Sequence, residues 1–431
     1  MSMRVCVYGL WHLGSVTAAC LAEHVTTVGC DSDAETIAEL RQARPPISEP
    51  GLAELVAAGL SSGRLSFTTD LRRAAEDADV VWVTFDTPVD DNDIADVETV
   101  RAHIYAILPH VREDALVLLS SQVPVGFTAS LERAFHERYP GRRAAFAYSP
   151  ENLRLGKALD SFRRPERIVV GVRTEEDRAR LAQLFAPVSR NIQWMSVESA
   201  EMTKHALNAF LATSVAFINE LAALCEQAGA DAKEVERGLK SEPRIGPRAY
   251  LGPGAAFAGG TLARDVSFLE QIGEQQGIST HLFSAVIASN NEHKGWPRRA
   301  LARLLGDPAG KRIAVLGLAY KPGTDTLRRS SAVELCQWLS SNGAEVRAYD
   351  PAVHHLPLEL SSWIRLCESS REALDGADAV VLATEWPVFR ELSADDLVDK
   401  MRTAIVLDPN RFLKPDLAGD SRLRYAAVGK P

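Results

Sequence analysis

The sequence predicts an α/β fold in which two doubly wound parallel-sheet domains are joined by a long central helix. Three observations predict it. A β-rich run at residues 4–8 meets a glycine turn at Gly9, and the pattern returns at residues 312–316 with Gly317. Each turn precedes a helix-like stretch and a second strand that ends on an acid, Asp31 in one case and Asp350 in the other. Between the two lies an apolar face that runs from Ser199 to Gly229 without a proline.

The first half reads strand, tight turn, helix (residues 13–22) and strand (25–29), the order of a dinucleotide-binding unit. Apolar runs at 80–84, 116–120 and 168–171 extend a parallel sheet, so about the first 195 residues read as one α/β domain. From Ser199, the spacing of Ala206, Leu207, Phe210, Leu211, Phe217, Ile218 and Leu221 predicts a helix of about 30 residues. So long and apolar a helix is a buried spine or packs on a second subunit. The chain restarts at Lys311, with a helix near 332–340 and a strand at 345–350. The expected division is a dinucleotide-binding domain at 1–198, a helical substrate and dimerisation domain at 199–305, and a second Rossmann-like domain at 306–431.

Composition narrows the classes. The 431 residues are 46% hydrophobic and 24% charged, the balance of a globular protein. A net charge of -9 argues against general binding to nucleic acid or anionic membrane, yet leaves room for a local basic pocket. No apolar stretch reads as a membrane span, and the N-terminus reads as strand and turn rather than signal peptide. A cytoplasmic location is expected. The six cysteines form no CxxC pair and are expected as reduced thiols. His354-His355 reads as a surface turn, so no metal site is expected.

The chemistry-bearing segments follow the predicted strands. In Gly9-Leu-Trp11-His-Leu13-Gly14, Gly9 makes the turn and Gly14 lets helix meet strand, but Trp11 replaces the middle glycine of G-x-G-x-x-G. Asp31 is placed to accept from ribose hydroxyls, which favours NAD over NADP. Alone, this motif is equally a plain βαβ turn. Thr87-Pro88, the Ser121–Gly126 run with Gln122, and Tyr148-Ser-Pro-Glu151-Asn-Leu153-Arg154 lie where loops form a ligand crevice. Lys204 and Asn208, four apart, share a helical face where an ammonium and an amide stabilise an alkoxide. The bland alternative is a solvated pair. Tyr250-Leu251-Gly-Pro-Gly254 begins a small-residue loop that runs through Thr261 to Arg264-Asp265; the alternative is a merely flexible loop.

These segments together resemble the UDP-glucose/GDP-mannose dehydrogenases over nearly the full length. The resemblance rests on Ile47-Ser-Glu49-Pro50-Gly51-Leu52, Ser149–Arg154, Lys204…Asn208, Phe217-Ile-Asn-Glu220, Arg244-Ile-Gly246, Gly317-Leu-Ala-Tyr-Lys321-Pro322-Gly-Thr-Asp325…Arg328 and Thr384-Glu385-Trp386. It implies an NAD cofactor held by Gly9, Trp11, Leu13, Gly14, Asp31, Thr87, Gln122, Arg264 and Arg328. It implies a nucleotide-sugar substrate held by Glu151, Leu153, Lys204, Asn208, Arg244, Tyr250, Leu251, Gly254 and Lys321. Asp265 falls on the proton-handling aspartate, Lys204 and Asn208 on the alkoxide-stabilising pair, and Glu151 on the glutamate of the hydrolytic step. A homodimer through the central helix is implied as well.

The chain departs from the family at five positions. The family's loop reads F-G-G-S-C-F-P-K-D; here Thr261 stands at the nucleophilic cysteine and Arg264 at the lysine. Gln122 replaces a threonine, Leu155 a glutamate and Trp11 a glycine. The family removes two hydrides from one carbon, and its second oxidation uses the thiolate. A first, two-electron alcohol-to-aldehyde step needs no thiol. The sequence therefore predicts an NAD-dependent oxidoreductase that makes one such step on a nucleotide-linked sugar. The alternatives are the full four-electron reaction to the uronic acid, and a non-catalytic nucleotide-sugar-binding homologue.

Overall fold

The computed structural model describes residues 3–90, 95–151, 153–258 and 260–431. Asn152 and Gly259, quoted within two of the motifs above, lie outside the described residues. The chain divides into two compact units, Met1–Ala206 and Leu207–Pro431. The break falls inside one helix.

The first unit is built on eight strands: β1 (Arg4–Tyr8), β2 (Thr26–Cys30), β3 (Leu65–Thr68), β4 (Val80–Val83), β5 (Ala115–Leu119), β6 (Ala144–Tyr148), β7 (Ile168–Gly171) and β8 (Ile192–Met195). Their order is β3-β2-β1-β4-β5-β6-β7-β8, so the winding reverses between β1 and β4. Every residue of β4 and β5 is buried, because helices cover both faces of a doubly wound sheet. One apolar cluster on each face forms the core, with Val5, Val7, Trp82 and Leu118 in one and Cys6, Tyr8, Val81 and Val117 in the other.

One pairing departs from the expected parallel sheet: β6 meets β7 antiparallel, at Tyr148 opposite Gly171. Among its described residues, the connection between them carries one short helix, Ala158–Arg163. The chain therefore re-enters from the end at which it left. The helix Glu175–Phe185 supplies a full crossover, and β7 and β8 pair parallel.

The second unit carries β9 (Arg312–Leu316), β10 (Glu345–Tyr349), β11 (Ile364–Leu366), β12 (Ala379–Leu382), β13 (Ile405–Leu407) and β14 (Arg424–Ala426), ordered β11-β10-β9-β12-β13-β14. All its pairs are parallel, and the winding reverses between β9 and β12. The two halves echo each other in detail. Gly9 and Gly317 both have positive φ, +99° and +93°. Each donates its N–H to the strand alongside, Gly9 to Cys30 at 2.9 Å and Gly317 to Tyr349 at 2.8 Å. Asp31 accepts from Leu10 N–H, and Asp350 accepts from Leu318 and Ala319 N–H. The acid that ends each second strand thus fastens the glycine turn of the first.

The spine helix, Val197–Ala228, is 32 residues long. Contrary to the sequence expectation, it is long and apolar enough to cross a membrane, with mean hydropathy 1.5 over its best window. It nevertheless carries Glu201, Lys204, His205, Asn208 and Asn219, all buried. Polar groups held inside the protein in this way mark a core helix. Within the second unit, Ala209, Ala212 and Ala216 let it pack closely on Val266 and Leu269 of helix Thr261–Gln276 and on Val286 of helix His281–His293.

Candidate functional site

In the first unit, the phosphate-turn residues converge at the β1/β4 reversal. A Cβ on Gly14 would lie 1.7 Å from the Gly9 carbonyl oxygen, so only glycine lets the helix His12–Leu21 start so close to β1. Gly9 is fixed from outside the turn: Thr84 Oγ1 donates to its carbonyl at 2.7 Å. Leu10 N–H reaches Asp31 Oδ2 at 2.7 Å, and Asp33 N–H reaches Oδ1 at 3.0 Å. Asp31 therefore orders the turn, and its remaining lone pairs stay available to a ribose. The Trp11 side chain does not fill the turn; the residue is 51% exposed and caps the helix with no side-chain hydrogen bond. Leu13 is buried and lines a cavity of about 80 Å³ together with Glu151 and Leu153.

The loops after β4, β5 and β6 are tied to one another. Thr87 Oγ1 donates to the Gln122 carbonyl at 2.6 Å, and Ser120 Oγ donates to the Ser149 carbonyl at 2.5 Å. The first turns of the spine helix then lock them. Glu201, fully buried, accepts from Gly126 N–H at 2.6 Å and from Thr128 N–H at 3.0 Å and Oγ1 at 2.6 Å. It caps helix Phe127–Arg138, whose N-terminal Gly126 has no side chain for the task. Burial raises the Glu201 pKa against the opposing pull of these donors. His205 Nε2 donates to the Val123 carbonyl at 2.9 Å. Lys204 Nζ donates to the Glu151 carbonyl at 2.8 Å and lies 3.8 Å from its carboxylate. Glu151 Oε2 meanwhile accepts from Leu153 N–H at 2.8 Å.

In the second unit, Asn208 Nδ2 donates to Asp265 Oδ2, and Asp265 is completely buried. Lys204 and Asn208, expected to point together, thus each have a carboxyl-bearing partner of their own here. Thr261 is exposed and is the first residue of helix Thr261–Gln276, one turn before Asp265. Residues 254–257 of the glycine loop before it are held by side-chain hydrogen bonds. Asn219 Oδ1 accepts from Gly254 N–H at 3.0 Å, and His293 Nε2 donates to the Gly254 carbonyl at 2.8 Å. Asn410 Oδ1 accepts from Ala255 N–H at 2.6 Å, and Asn290 bonds both the N–H and the carbonyl of Phe257, at 3.0 and 2.8 Å. A Cβ on Gly254 would sit 2.0 Å from Asn410 Oδ1.

This loop walls a cavity of about 580 Å³ that also includes Tyr250, Lys321, Thr384 and Glu385. Tyr250 is 57% exposed, and Leu251 is buried behind it. Arg264 is half-buried and Arg328 exposed, and neither lines the cavity. Arg244 is also outside it, with its guanidinium on Glu242 at 2.8 Å and its side chain 88% exposed. Glu49, Glu201, His205, Asn290, His293 and Asn410 were given no site role by sequence reasoning. Glu49, Glu201 and His205 lay inside quoted segments without a role; Asn290, His293 and Asn410 lay outside them and are found only through contacts distant in sequence.

A glycine turn feeding a helix N-terminus at the winding reversal, with an acid ending the neighbouring strand, is the nucleotide-binding arrangement of a Rossmann-type domain, and this chain carries it twice. The family models agree with this class. The NAD binding domain of the UDP-glucose/GDP-mannose dehydrogenase family matches residues 3–189, the central domain 198–292 and the UDP binding domain 314–415. UDP-glucose 6-dehydrogenases from Pseudomonas aeruginosa and Rhizobium meliloti are 36% and 35% identical, each over 100% of this chain and 98% and 100% of their own. A UDP-glucose dehydrogenase structure from Pyrobaculum islandicum superposes with TM-score 0.88 at 31% identity, covering 100% of this chain and 98% of that one. The chain belongs to the UDP-glucose/GDP-mannose dehydrogenase family and is an NAD-dependent nucleotide-sugar dehydrogenase.

Proposed function

We propose that the protein oxidises the primary alcohol of a nucleotide-linked sugar to the aldehyde and stops there. The observation that carries this is the state of its thiols. All six cysteines are buried, and by the resemblance Thr261, at the start of helix Thr261–Gln276, stands in place of the family's nucleophile. Burial pushes the thiols of Cys20, Cys30 and Cys336 up to about 12 and that of Cys367 to about 11. A threonine hydroxyl at neutral pH is far too weakly acidic to serve as the thiolate does.

We assign the dinucleotide to the turn because Gly9 and Gly14, where any Cβ would clash with neighbouring protein atoms, bring the helix N-terminus close against β1. Bound NAD supplies the hydride acceptor. Asp265 takes the hydroxyl proton, while Lys204 and Asn208 donate to the developing alkoxide. Glu151 and Leu153 hold the sugar; Tyr250, Leu251, Gly254 and Lys321 hold the nucleotide diphosphate. Arg264 and Arg328 serve the nicotinamide end, and Arg244 the partner's substrate. Three domains, with boundaries near 198 and 305, carry these duties. The chain is a homodimer through the spine helix, a reading supported by Phe210, Phe217 and Leu224 at 70%, 51% and 67% exposure, seven residues apart.

Thr261→Cys tests the reading. A cysteine at a helix N-terminus has a lowered pKa, so the variant should move the yield from one NADH per sugar toward two. A yield of two before and after the change overturns it. That outcome would favour the four-electron reaction, for which the names of the full-length relatives speak.

A further inference from the structure

The Ile47–Leu52 motif takes no part in the function above, yet its acid is one of the most enclosed groups in the first unit. The Glu49 side chain is 1% exposed. Its Oε1 accepts from Ala158 N–H at 2.7 Å, and its Oε2 accepts from Gly156 N–H at 2.8 Å. The same Oε2 lies 3.3 Å from His12 Nε2. Gly156 and Ala158 end the loop that Glu151 and Leu153 begin, and Ala158 opens helix Ala158–Arg163. His12 is the first residue of helix His12–Leu21, inside the phosphate turn. One buried carboxylate is therefore shared between the cofactor turn and the loop assigned to the sugar.

This arrangement has a physical consequence. Two backbone N–H groups bonded to an ionised carboxylate form charge-assisted bonds, which resist displacement. Glu49 is thereby fixed to the 151–158 loop, and His12 is its one contact in the turn among those seen here. A dinucleotide held at this turn would bring its diphosphate to the helix N-terminus that His12 opens, so that His12 would lie between that group and the Glu49 carboxylate. The imidazole is the group best placed to bridge them, and any shift it makes is passed to Gly156 and Ala158 through a single side chain.

We propose that His12 and Glu49 are a positioning pair that couples occupancy of the phosphate turn to order in the 151–158 loop. Filling the turn fixes His12, His12 fixes Glu49, and Glu49 fixes the loop that carries Glu151 and Leu153. Neither residue touches the reacting carbon. The inference rests on the assignment of the turn to the cofactor and of the loop to the sugar.

Amide hydrogen exchange with and without NADH tests it, since the turn and the loop are read separately. In the unaltered protein NADH should slow exchange at residues 9–16 and, at least threefold, at residues 153–160. In His12→Leu the turn should keep most of its protection while residues 153–160 lose theirs. His12→Gln retains a donor for Glu49 and should restore the second effect. Equal loop protection in His12→Leu and the unaltered protein overturns the coupling, as does loop exchange indifferent to NADH while the turn is protected. If NADH leaves the turn itself unprotected, the cofactor assignment fails, and the coupling with it.

Discussion

At the level of single residues, the proposed chemistry rests on Asp265 and Asn208, which are hydrogen-bonded to each other. A fully buried carboxylate that accepts from an amide is held in one orientation, as a group that must take a proton needs to be. Asp265→Asn keeps the shape and removes the proton acceptor. It should lower kcat by roughly 10²–10⁴-fold and leave NADH affinity nearly unchanged. Loss of less than tenfold would remove Asp265 from the proposed role. Sequence reasoning singled out Lys204 and Asn208 by helical spacing and the resemblance, and Asp265 by the resemblance. It did not reach Glu201 or the role of Glu49. Each acts on backbone N–H groups distant in the chain, Gly126 and Thr128 in one case and Gly156 and Ala158 in the other. No local pattern encodes such a pairing.

Among the elements, the glycine loop shows how a run of small residues can be held by side chains from elsewhere in the chain. Asn219, Asn290, His293 and Asn410 replace the side-chain packing that glycine and alanine lack. His293 makes this pH-dependent. Burial lowers its pKa below the usual 6.5, so the unfolded chain binds a proton first as pH falls. Stability should be full above about pH 6.5 and fall as pH drops toward the folded pKa. His293→Gln keeps a donor for the Gly254 carbonyl and does not titrate. Its melting temperature should fall less between pH 7.5 and 5 than that of the unaltered protein, and equal slopes would contradict this. The elements themselves were largely legible: the spine helix begins and ends within two residues of its expected bounds. The direction of β7 was not, because it depends on whether a connection crosses the sheet, and the strand's own residues are apolar either way.

For the whole molecule, two sheets with the same winding order, each with a glycine turn and an acid to fasten it, explain why one chain offers two nucleotide-type crevices. The repeat was visible as strand, glycine turn and aspartate at both ends of the sequence. The spine's exposed Phe210, Phe217 and Leu224 form an apolar seam that a second copy would cover. If the proposed dimer forms through this seam, Phe217→Asp should halve the mass seen by light scattering after size exclusion; an unchanged mass would contradict a dimer through the spine helix.

On the proposed reading, Thr261 in place of a thiol leaves the reaction at the aldehyde. The direct measurement is NADH formed per sugar at the end point, with limiting UDP-glucose, UDP-N-acetylglucosamine and GDP-mannose in turn. One NADH or less per sugar, with the aldehyde trapped by a hydrazine, is the result expected. Two NADH per sugar with a uronic acid as product would contradict it and show that the second oxidation proceeds without the thiol.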